Sequence, residues 1–241
     1  MSSAEFPAAV AAIAALGDPT RRALYRYIAA QGVPVGREDA AAAVGVPHHV
    51  ARFHLDRLHD AGLLQVEYKR PTGRGGPGAG RPAKLYRPGP AEFSASIPER
   101  RYDLAGLVLT QAVATAIATD TPAAQALEEA AGEAGRAIGE AARAQADRTG
   151  EEAGSLGAAL ETLDAYGFSP RAEGRGYVLG NCPFHALSAQ LPEVVCRMNH
   201  ALIAGALDAA GARSASAHLD PAEGRCCVTL QPAPGDSRSP G

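Results

Sequence analysis

The sequence contains no tryptophan, and aromatic residues make up only 5% of its 241 residues. This scarcity disfavours a core built from large rings. Apolar residues nevertheless make up 46% of the chain, and many of them are alanine. That amount is sufficient for a large core or for two domains. Because alanine lets helix backbones approach one another, we expect a mainly α-helical fold with closely packed helices.

The chain also lacks the basic start of a secretory signal, since the alanine-rich run 6–17 is followed directly by Asp18. A second apolar run lies between Asp103 and Asp120. It is 16 residues long and is interrupted by polar side chains such as Thr110, so it is too short and too polar for an easy membrane span. We therefore expect a cytoplasmic protein with no membrane partner.

Signatures of catalysis are absent as well. The glycine-rich stretch 73–80 does not end in the Gly-Lys-Ser/Thr of a phosphate loop. No Ser/His/Asp constellation or pair of carboxylates stands out from the sequence. We do not expect an enzyme.

Charge is divided unevenly along the chain. Residues 1–90 hold 12 Lys and Arg against 7 Asp and Glu, whereas residues 91–241 hold 11 against 19. A basic first part joined to an acidic second part indicates a nucleic-acid-binding domain at the front.

The front part contains the pattern of a helix-turn-helix. Helices are predicted in two pieces over 6–30, with Asp18 capping the second, and then at 37–44 and 47–64. Gly45-Val46-Pro47 forms the turn between the last two helices. The outward face of the second of these helices is predicted to bind DNA through His48, His49, Arg52, Phe53 and Arg57. Of these, His48, His49 and Arg52 would contact base edges.

Two strand-like runs follow, at 64–70 and 83–87, and the glycine- and arginine-rich stretch 71–82 separates them. A hairpin with a long basic tip directly after a helix-turn-helix is typical of a wing. Its predicted phosphate contacts are Arg70, Arg74, Arg81 and Lys84.

Four motifs carry a resemblance to known regulators. They are Leu16-Gly17-Asp18-Pro19-Thr20-Arg21-Arg22, Phe53-His54-Leu55-Asp56-Arg57-Leu58, Ala61-Gly62-Leu63-Leu64 and Gly80-Arg81-Pro82-Ala83-Lys84-Leu85-Tyr86. Together they resemble winged-helix repressors of the ArsR-like and DeoR-like type over roughly the first 90 residues. We therefore expect a winged helix-turn-helix DNA-binding domain at 1–90, with double-stranded operator DNA as its partner. A palindromic operator would call for a homodimer.

The rest of the chain is predicted to form two further regions. At 100–150, helices over 102–119 and 122–148 form a dimerisation region, unless the apolar first helix packs inside its own monomer. At 151–234 we expect a small α+β sensor domain. The predicted elements of this domain are helices at 155–166 and 183–210 and strands at 171–173, 176–179, 214–219 and 225–230.

All four cysteines lie in this last region: Cys182 in a loop, Cys196 on a helix, and Cys226 and Cys227 on a strand. In the cytoplasm, clustered cysteines are more often metal ligands or redox groups than disulfides. Thiolates select iron–sulfur clusters, zinc or cuprous copper. Zinc would take the two close pairs formed by Cys182 with His185 and by Cys196 with His200. The other interpretation is that the cysteines are buried apolar side chains.

Three further motifs carry a second resemblance, which spans nearly the whole chain. Gly180-Asn181-Cys182-Pro183-Phe184-His185, Val195-Cys196-Arg197-Met198-Asn199 and Gly224-Arg225-Cys226-Cys227-Val228, behind a winged helix, resemble the SufR-type repressors of iron–sulfur cluster assembly operons. The resemblance implies a repressor that binds a [4Fe-4S] cluster and senses its state.

By position, the implied ligands are Cys182, Cys196 and one of Cys226 and Cys227. Since two adjacent cysteines rarely both reach one cluster, the fourth ligand stays open among His185, His200, Asp220 and an exogenous group. The alternative function is a winged-helix repressor that senses zinc or a small organic ligand, with structural cysteines.

Overall fold

The computed structural model of the chain describes residues 5–69, 82–149 and 156–233. The fold is mostly helical, with small antiparallel sheets. The chain forms two compact units, Met1–Ala95 and Ser96–Gly241.

The first unit has the element order of a winged helix. In chain order its elements are α1 (Glu5–Ala15), α2 (Pro19–Gln31), β1 (Val35–Gly36), α3 (Arg37–Val44), α4 (His48–Asp60), β2 (Leu64–Lys69) and β3 (Ala83–Pro88). The three strands form an antiparallel sheet in the order β1-β3-β2. Strands β2 and β3 pair from Leu64 opposite Pro88 to Lys69 opposite Ala83, as a wing requires.

Local sequence signals explain the ends of these helices. The Asp18 side chain caps α2 by accepting a hydrogen bond of 2.9 Å from the Arg21 amide, as predicted. Helix α3 ends at Gly45, whose φ of 73° is favourable for glycine. The Val46 amide then donates to the Ala41 carbonyl over 3.1 Å. This tight end turns the chain into α4 within three residues.

The second unit combines helices with one sheet. Its elements are α5 (Tyr102–Thr119), α6 (Ala123–Thr149), α7 (Leu156–Ala165), β4 (Pro170–Glu173), β5 (Gly176–Leu179), α8 (His185–Ser188), α9 (Pro192–Ala210), β6 (Ala215–Leu219) and β7 (Val228–Pro232). The sheet is antiparallel in the order β4-β5-β7-β6. Buried residues from α5, α6, α7, α9 and the sheet form one core. Residues 100–150 and 151–234, which the sequence analysis treats as two regions, therefore share a single core.

Helices α6 and α9 approach each other through glycines. A Cβ atom added at Gly135 would lie 2.0 Å from the Leu202 carbonyl oxygen, and one at Gly139 would lie 2.3 Å from that of Ala206. A Cβ at Gly205 would lie 2.4 Å from the Gly132 oxygen. These distances leave no room for a side chain, so the glycines set how closely α9 packs.

Two local predictions differ from the structure, and one strand was not predicted. Cys226 and Cys227 lie in the loop just before β7 and not on a predicted strand at 225–230. The single helix predicted over 183–210 is divided into α8 and α9, and Pro192 occupies the first turn of α9. Strand β1 was not predicted, because two residues carry no alternation pattern.

Among the described residues, one helix is long and apolar enough by length and composition to cross a membrane, and it is α5. Only 17% of its apolar stretch is buried. From its sequence this run was expected to be too short and too polar for an easy membrane span. One such helix is weak support for membrane insertion, and its exposed apolar surface needs an explanation.

Candidate functional site

The first candidate site is the outward face of α4. Ala51, Leu55 and Leu58 lie at three- and four-residue spacings and are buried against the first unit's core. The residues predicted to bind DNA from this helix are all exposed: His48, His49, Arg52, Phe53 and Arg57. The Arg57 guanidinium lies 5.6 Å from the centre of the Phe53 ring. The face combines cations, imidazoles and an aromatic ring, the side chains that meet bases and phosphates.

Asp56 connects this face to the wing. Its Oδ1 accepts hydrogen bonds from Lys84 Nζ at 2.6 Å and from the Tyr86 hydroxyl at 3.1 Å. The Tyr86 oxygen in turn accepts from Arg37 at 3.2 Å. Burial acts to raise the pKa of the Asp56 carboxyl, but the Lys84 hydrogen bond and charge, with Tyr86 and Arg37, outweigh it and lower that pKa.

The structure therefore describes only one of the four wing residues that were predicted to contact phosphates. Lys84 is engaged in the ion pair with Asp56, and its role as a phosphate contact stays a prediction. Arg70, Arg74 and Arg81 lie outside the described residues.

The second candidate site is a group of four free thiols in the second unit. Cys182 follows β5, Cys196 lies on α9, and Cys226 and Cys227 precede β7. Cys182, Cys226 and Cys227 are buried, and Cys196 is partly exposed. The fold thus brings together cysteines that lie up to 45 positions apart in the sequence.

The thiols contact one another in a chain. Cys226 is hydrogen-bonded to Cys182 on one side and to Cys227 on the other, and Cys227 is hydrogen-bonded to Cys196. We call this row the thiol chain. Because Cys226 carries one proton, it donates to only one neighbour at a time.

These contacts separate the thiols into donors and acceptors. The Cys226 hydrogen bond lowers the pKa of the Cys182 thiol to about 6, against the opposing effect of burial. The same donor lowers the pKa of Cys227 to about 7. Burial raises the pKa of Cys196 to about 12, and the hydrogen bonds to Cys182 and Cys227 raise that of Cys226. The arrangement thus favours a thiolate at Cys182 or at Cys227, whichever accepts the hydrogen bond from Cys226, and thiolates are the form that binds soft metals.

Asn199 contributes to the site although the sequence analysis did not select it. This fully buried residue lies on α9, and its Nδ2 donates a hydrogen bond of 3.1 Å to Cys226 Sγ. Its Oδ1 is buried and accepts no hydrogen bond from the described residues. The available signal was its position three residues after Cys196, within one helical turn.

The two histidines considered as ligands behave differently. The His185 charge acts on the Cys182 thiol, and its backbone amide donates to the Cys182 carbonyl over 3.1 Å. His200 instead donates from Nε2 to the Ala217 carbonyl over 3.1 Å, toward β6. Of the two, His185 is the one that the structure shows acting on the thiol chain.

No group of three or more His, Cys, Asp or Glu side chains within residues 5–69, 82–149 and 156–233 is arranged to hold a metal ion. A tetrahedral zinc site from Cys182, His185, Cys196 and His200 is therefore not preassembled in the part of the chain that the structure describes.

Comparison with known proteins gives one match. A family model described as a helix-turn-helix domain matches residues 16–67, which run from the end of α1 into β2. No curated protein and no solved structure matches the chain. The match supports a DNA-binding transcriptional regulator of the winged-helix kind. The matched region contains α4 and all five of its predicted DNA contacts.

Proposed function

We propose that the chain is a cytoplasmic transcriptional repressor whose second unit senses iron–sulfur cluster or redox status through the thiol chain. The main support for this proposal is that all four cysteines converge in a chain whose first unit contains a helix-turn-helix domain. Buried apolar side chains have no need to converge from distant parts of the sequence, whereas a ligand set does.

The donor set suits a [4Fe-4S] cluster in its chemistry. Cys182, Cys196 and one of Cys226 and Cys227 would hold the cluster, with His185, whose charge acts on Cys182, favoured as the fourth ligand over His200, Asp220 and an exogenous group. The Asn199 amide would stabilise a thiolate at Cys226, since amide hydrogen bonds to sulfur tune such sites. When bound, the cluster would supply an oxidant-sensitive redox group.

Anaerobic purification with iron, sulfide, zinc and absorption measurements tests this proposal. We expect a brown protein that contains iron and sulfide. Colourless protein with stoichiometric zinc would refute the cluster and support the zinc alternative. Cys182→Ser and Cys196→Ser should each abolish the response of DNA binding to iron and sulfide. An unchanged response in these variants would contradict a sensing role for the cysteines.

We propose that the exposed face of α4 contacts the base edges of the operator. The Arg52 side chain is 67% exposed and lies only 3.9 Å from Asp56, so it can reach a base edge without disturbing the core. Arg52→Ala should weaken binding to an operator duplex, selected from a random library, by about 5- to 150-fold, the equivalent of about 1–3 kcal/mol. The exposed Arg143 on α6 provides the control, and Arg143→Ala should leave affinity unchanged.

A homodimer on a palindromic operator is also part of the proposal, and α5 supplies the surface for it. Val113 and Ile117 on this helix are 57% and 80% exposed. Tyr102, Leu109, Val113 and Ile117 recur at spacings of seven, four and four residues, which places them along one side of the helix. A second copy is the favoured partner, because a helix-turn-helix protein reading two half-sites requires two-fold symmetry.

Light scattering of the purified chain tests the dimer. Val113→Glu should shift the mass toward the monomer because it places a charge within the apolar surface. Gln111→Glu adds the same charge on another side of α5 and should leave the dimer intact. A wild-type chain that is already monomeric at micromolar concentration contradicts the assignment.

One observation favours the alternative of a small organic ligand. A groove of about 690 Å³ lies between α5, α6 and the start of α9, with apolar walls that include Leu109, Val113 and Leu127. Glu128, Glu193 and Arg197 lie at its edge. If Cys182→Ser and Cys196→Ser leave regulation intact while a bulky substitution at Ala116 in the groove abolishes it, this alternative replaces thiol sensing.

A further inference from the structure

Residues 96–101, here called the junction segment, connect the two units. The first unit ends at Ala95, and α5 begins at Tyr102. The junction segment belongs to the second unit. Its position in the chain makes it the covalent connection between the second unit and the end of the first.

The junction segment is hydrogen-bonded to the loop that carries Cys182. The Arg101 amide donates to the Pro183 carbonyl over 3.0 Å, and Asn181 Nδ2 donates to the Glu99 carbonyl over 3.1 Å. The Arg100 guanidinium donates both to Asn181 Oδ1 and, over 3.1 Å, to the Cys182 carbonyl. Four hydrogen bonds therefore join three consecutive residues of one segment to three consecutive residues of the other.

Both partners are held firmly on their other sides. The Arg100 amide donates to Ser96 Oγ over 2.7 Å, which closes the junction segment into a turn. The Arg101 side chain is 9% exposed and lies 4.8 Å from the centre of the Tyr166 ring. Asn181 Nδ2 also donates to the Gly167 carbonyl. A shift of the loop is therefore passed on, because neither partner can absorb it by rotating freely.

Cys182 belongs to both systems at once. Its Sγ takes part in the thiol chain and lies 3.9 Å from Ser188 Oγ, while its carbonyl accepts from Arg100. A ligand that draws the sulfur to a new position moves the backbone of the same residue. The carbonyl of that backbone accepts a hydrogen bond from Arg100 of the junction segment.

We propose that the Asn181-Cys182-Pro183 loop couples the state of the thiol chain to the DNA-binding unit, with Asn181 and Arg100 as the positioning residues. This inference rests on the proposed function, since it requires a ligand state of the thiols that DNA binding reports. The coupling is a difference in free energy between two positions of the loop, and the ligand and DNA bias the same equilibrium.

Two variants separate coupling from ligand binding. Asn181→Asp keeps an acceptor for Arg100 and loses the two donors to Glu99 and Gly167. Arg100→Leu keeps an aliphatic side chain, shorter than that of arginine, loses the guanidinium donors and leaves the Asn181 donors in place. Arg143→Leu, at the exposed arginine on α6, is the matched control. Neither positioning residue is among the proposed ligands, so iron content is expected to be that of the wild type.

The experiment measures the Kd of the full-length chain for the selected operator duplex before and after anaerobic reconstitution with ferrous iron and sulfide. In wild type and in the control, we expect the two values to differ by about 5- to 150-fold, the usual range of allosteric coupling. In both variants the ratio should fall toward one, with unchanged iron and sulfide per chain. Variants that respond like the wild type, or that fail to respond because they lose iron, overturn the coupling role.

Hydrogen–deuterium exchange supplies a readout that is independent of DNA. Reconstitution should change amide exchange in the junction segment of the wild type and of the control, and should leave it unchanged in Arg100→Leu. A junction segment that is indifferent to reconstitution in the wild type contradicts the inference even if DNA binding responds. A wild-type chain that takes up iron and sulfide without any change in operator Kd contradicts the proposed function itself.

Discussion

The side-chain amide of Asn199 donates a hydrogen bond of 3.1 Å to the sulfur of Cys226, the central member of the thiol chain. The two residues are 27 positions apart in sequence. The Asn199 side chain is also hydrogen-bonded to Cys227, and its Oδ1 stays buried without a donor among the described residues. Asn199 thus stabilises the Cys226 sulfur by donating to it, while its own side-chain oxygen stays buried without a hydrogen-bond donor.

Asn199→Leu should therefore alter the site more than the fold. The variant loses the hydrogen bonds to Cys226 and Cys227 but also removes a buried acceptor that lacks a donor, so the free energy of unfolding should change by less than about 1 kcal/mol. Iron held by the thiols should be lost several times faster in air, because the thiolate at Cys226 loses its donor. Thermal unfolding and the decay of iron absorption measure the two effects; a large loss of stability with unchanged iron retention contradicts this role.

The pKa values of the cysteines make stability depend on pH. In the folded chain the pKa of Cys182 is lowered from 9.0 to about 6, so the folded state binds fewer protons than the unfolded state between these values. The contribution is fully present above pH 9, declines as pH falls, and is lost below about pH 6. Cys227 acts in the same direction, whereas the raised pKa of Cys196 lowers stability only above pH 9.

Thermal unfolding of the metal-free chain at pH 6 and pH 9 checks the sign. We expect the wild type to gain stability between the two values, and Cys182→Ser to gain less. Equal gains in wild type and variant would show that the fold does not lower the pKa of Cys182.

Close packing of α6 on α9 predicts a strong difference between two glycine substitutions. Gly135→Ala forces the helices apart, because its Cβ would lie 2.0 Å from the Leu202 oxygen. We expect a loss of about 1–3 kcal/mol and a Tm several degrees lower. At Gly106 on α5 an added Cβ meets nothing within 4 Å. Gly106→Ala should therefore gain up to about 1 kcal/mol from helix propensity, and calorimetry that finds equal effects contradicts the packing.

Substitution of Asp56 should have opposite effects on stability and on DNA affinity. Asp56→Asn weakens the contacts to Lys84 and Tyr86, and we expect a loss of about 0.5–1.5 kcal/mol in the free energy of unfolding. The same change removes a negative charge beside Arg52 and releases Lys84 toward phosphates. Affinity for nonspecific DNA at low salt should therefore rise, with a salt dependence steeper by about one phosphate contact. Asp60→Asn, at the exposed end of α4, is the control for charge alone.

The sequence predicted the winged helix well because its signals are local. Asp18, Gly45 and the alternating apolar residues each act within a few positions, and α3 and α5 have the predicted bounds. The break before α9 was also readable, since Pro192 disfavours helix at the residue that precedes it. The strand assignment of Cys226 and Cys227 was wrong because pairing with β6 begins only at Val228.

The contacts around Cys182 could not be predicted from the sequence. Arg100 and Asn181 are 81 residues apart, and neither belongs to a motif that suggests a partner. The four cysteines were predicted to converge because of their number and a resemblance. Their order in the thiol chain depends on the sheet register and on the packing of α9, which only the folded chain provides.

The thiol chain joins a loop after β5, the helix α9 and the loop before β7. Any ligand held by several of its members acts as a cross-link among three elements that the backbone connects only distantly. Local opening of the second unit would require release of that ligand, so loaded chains should resist proteases longer than empty ones. The cellular lifetime of the regulator, and hence its abundance, would then follow the supply of whatever the thiols bind.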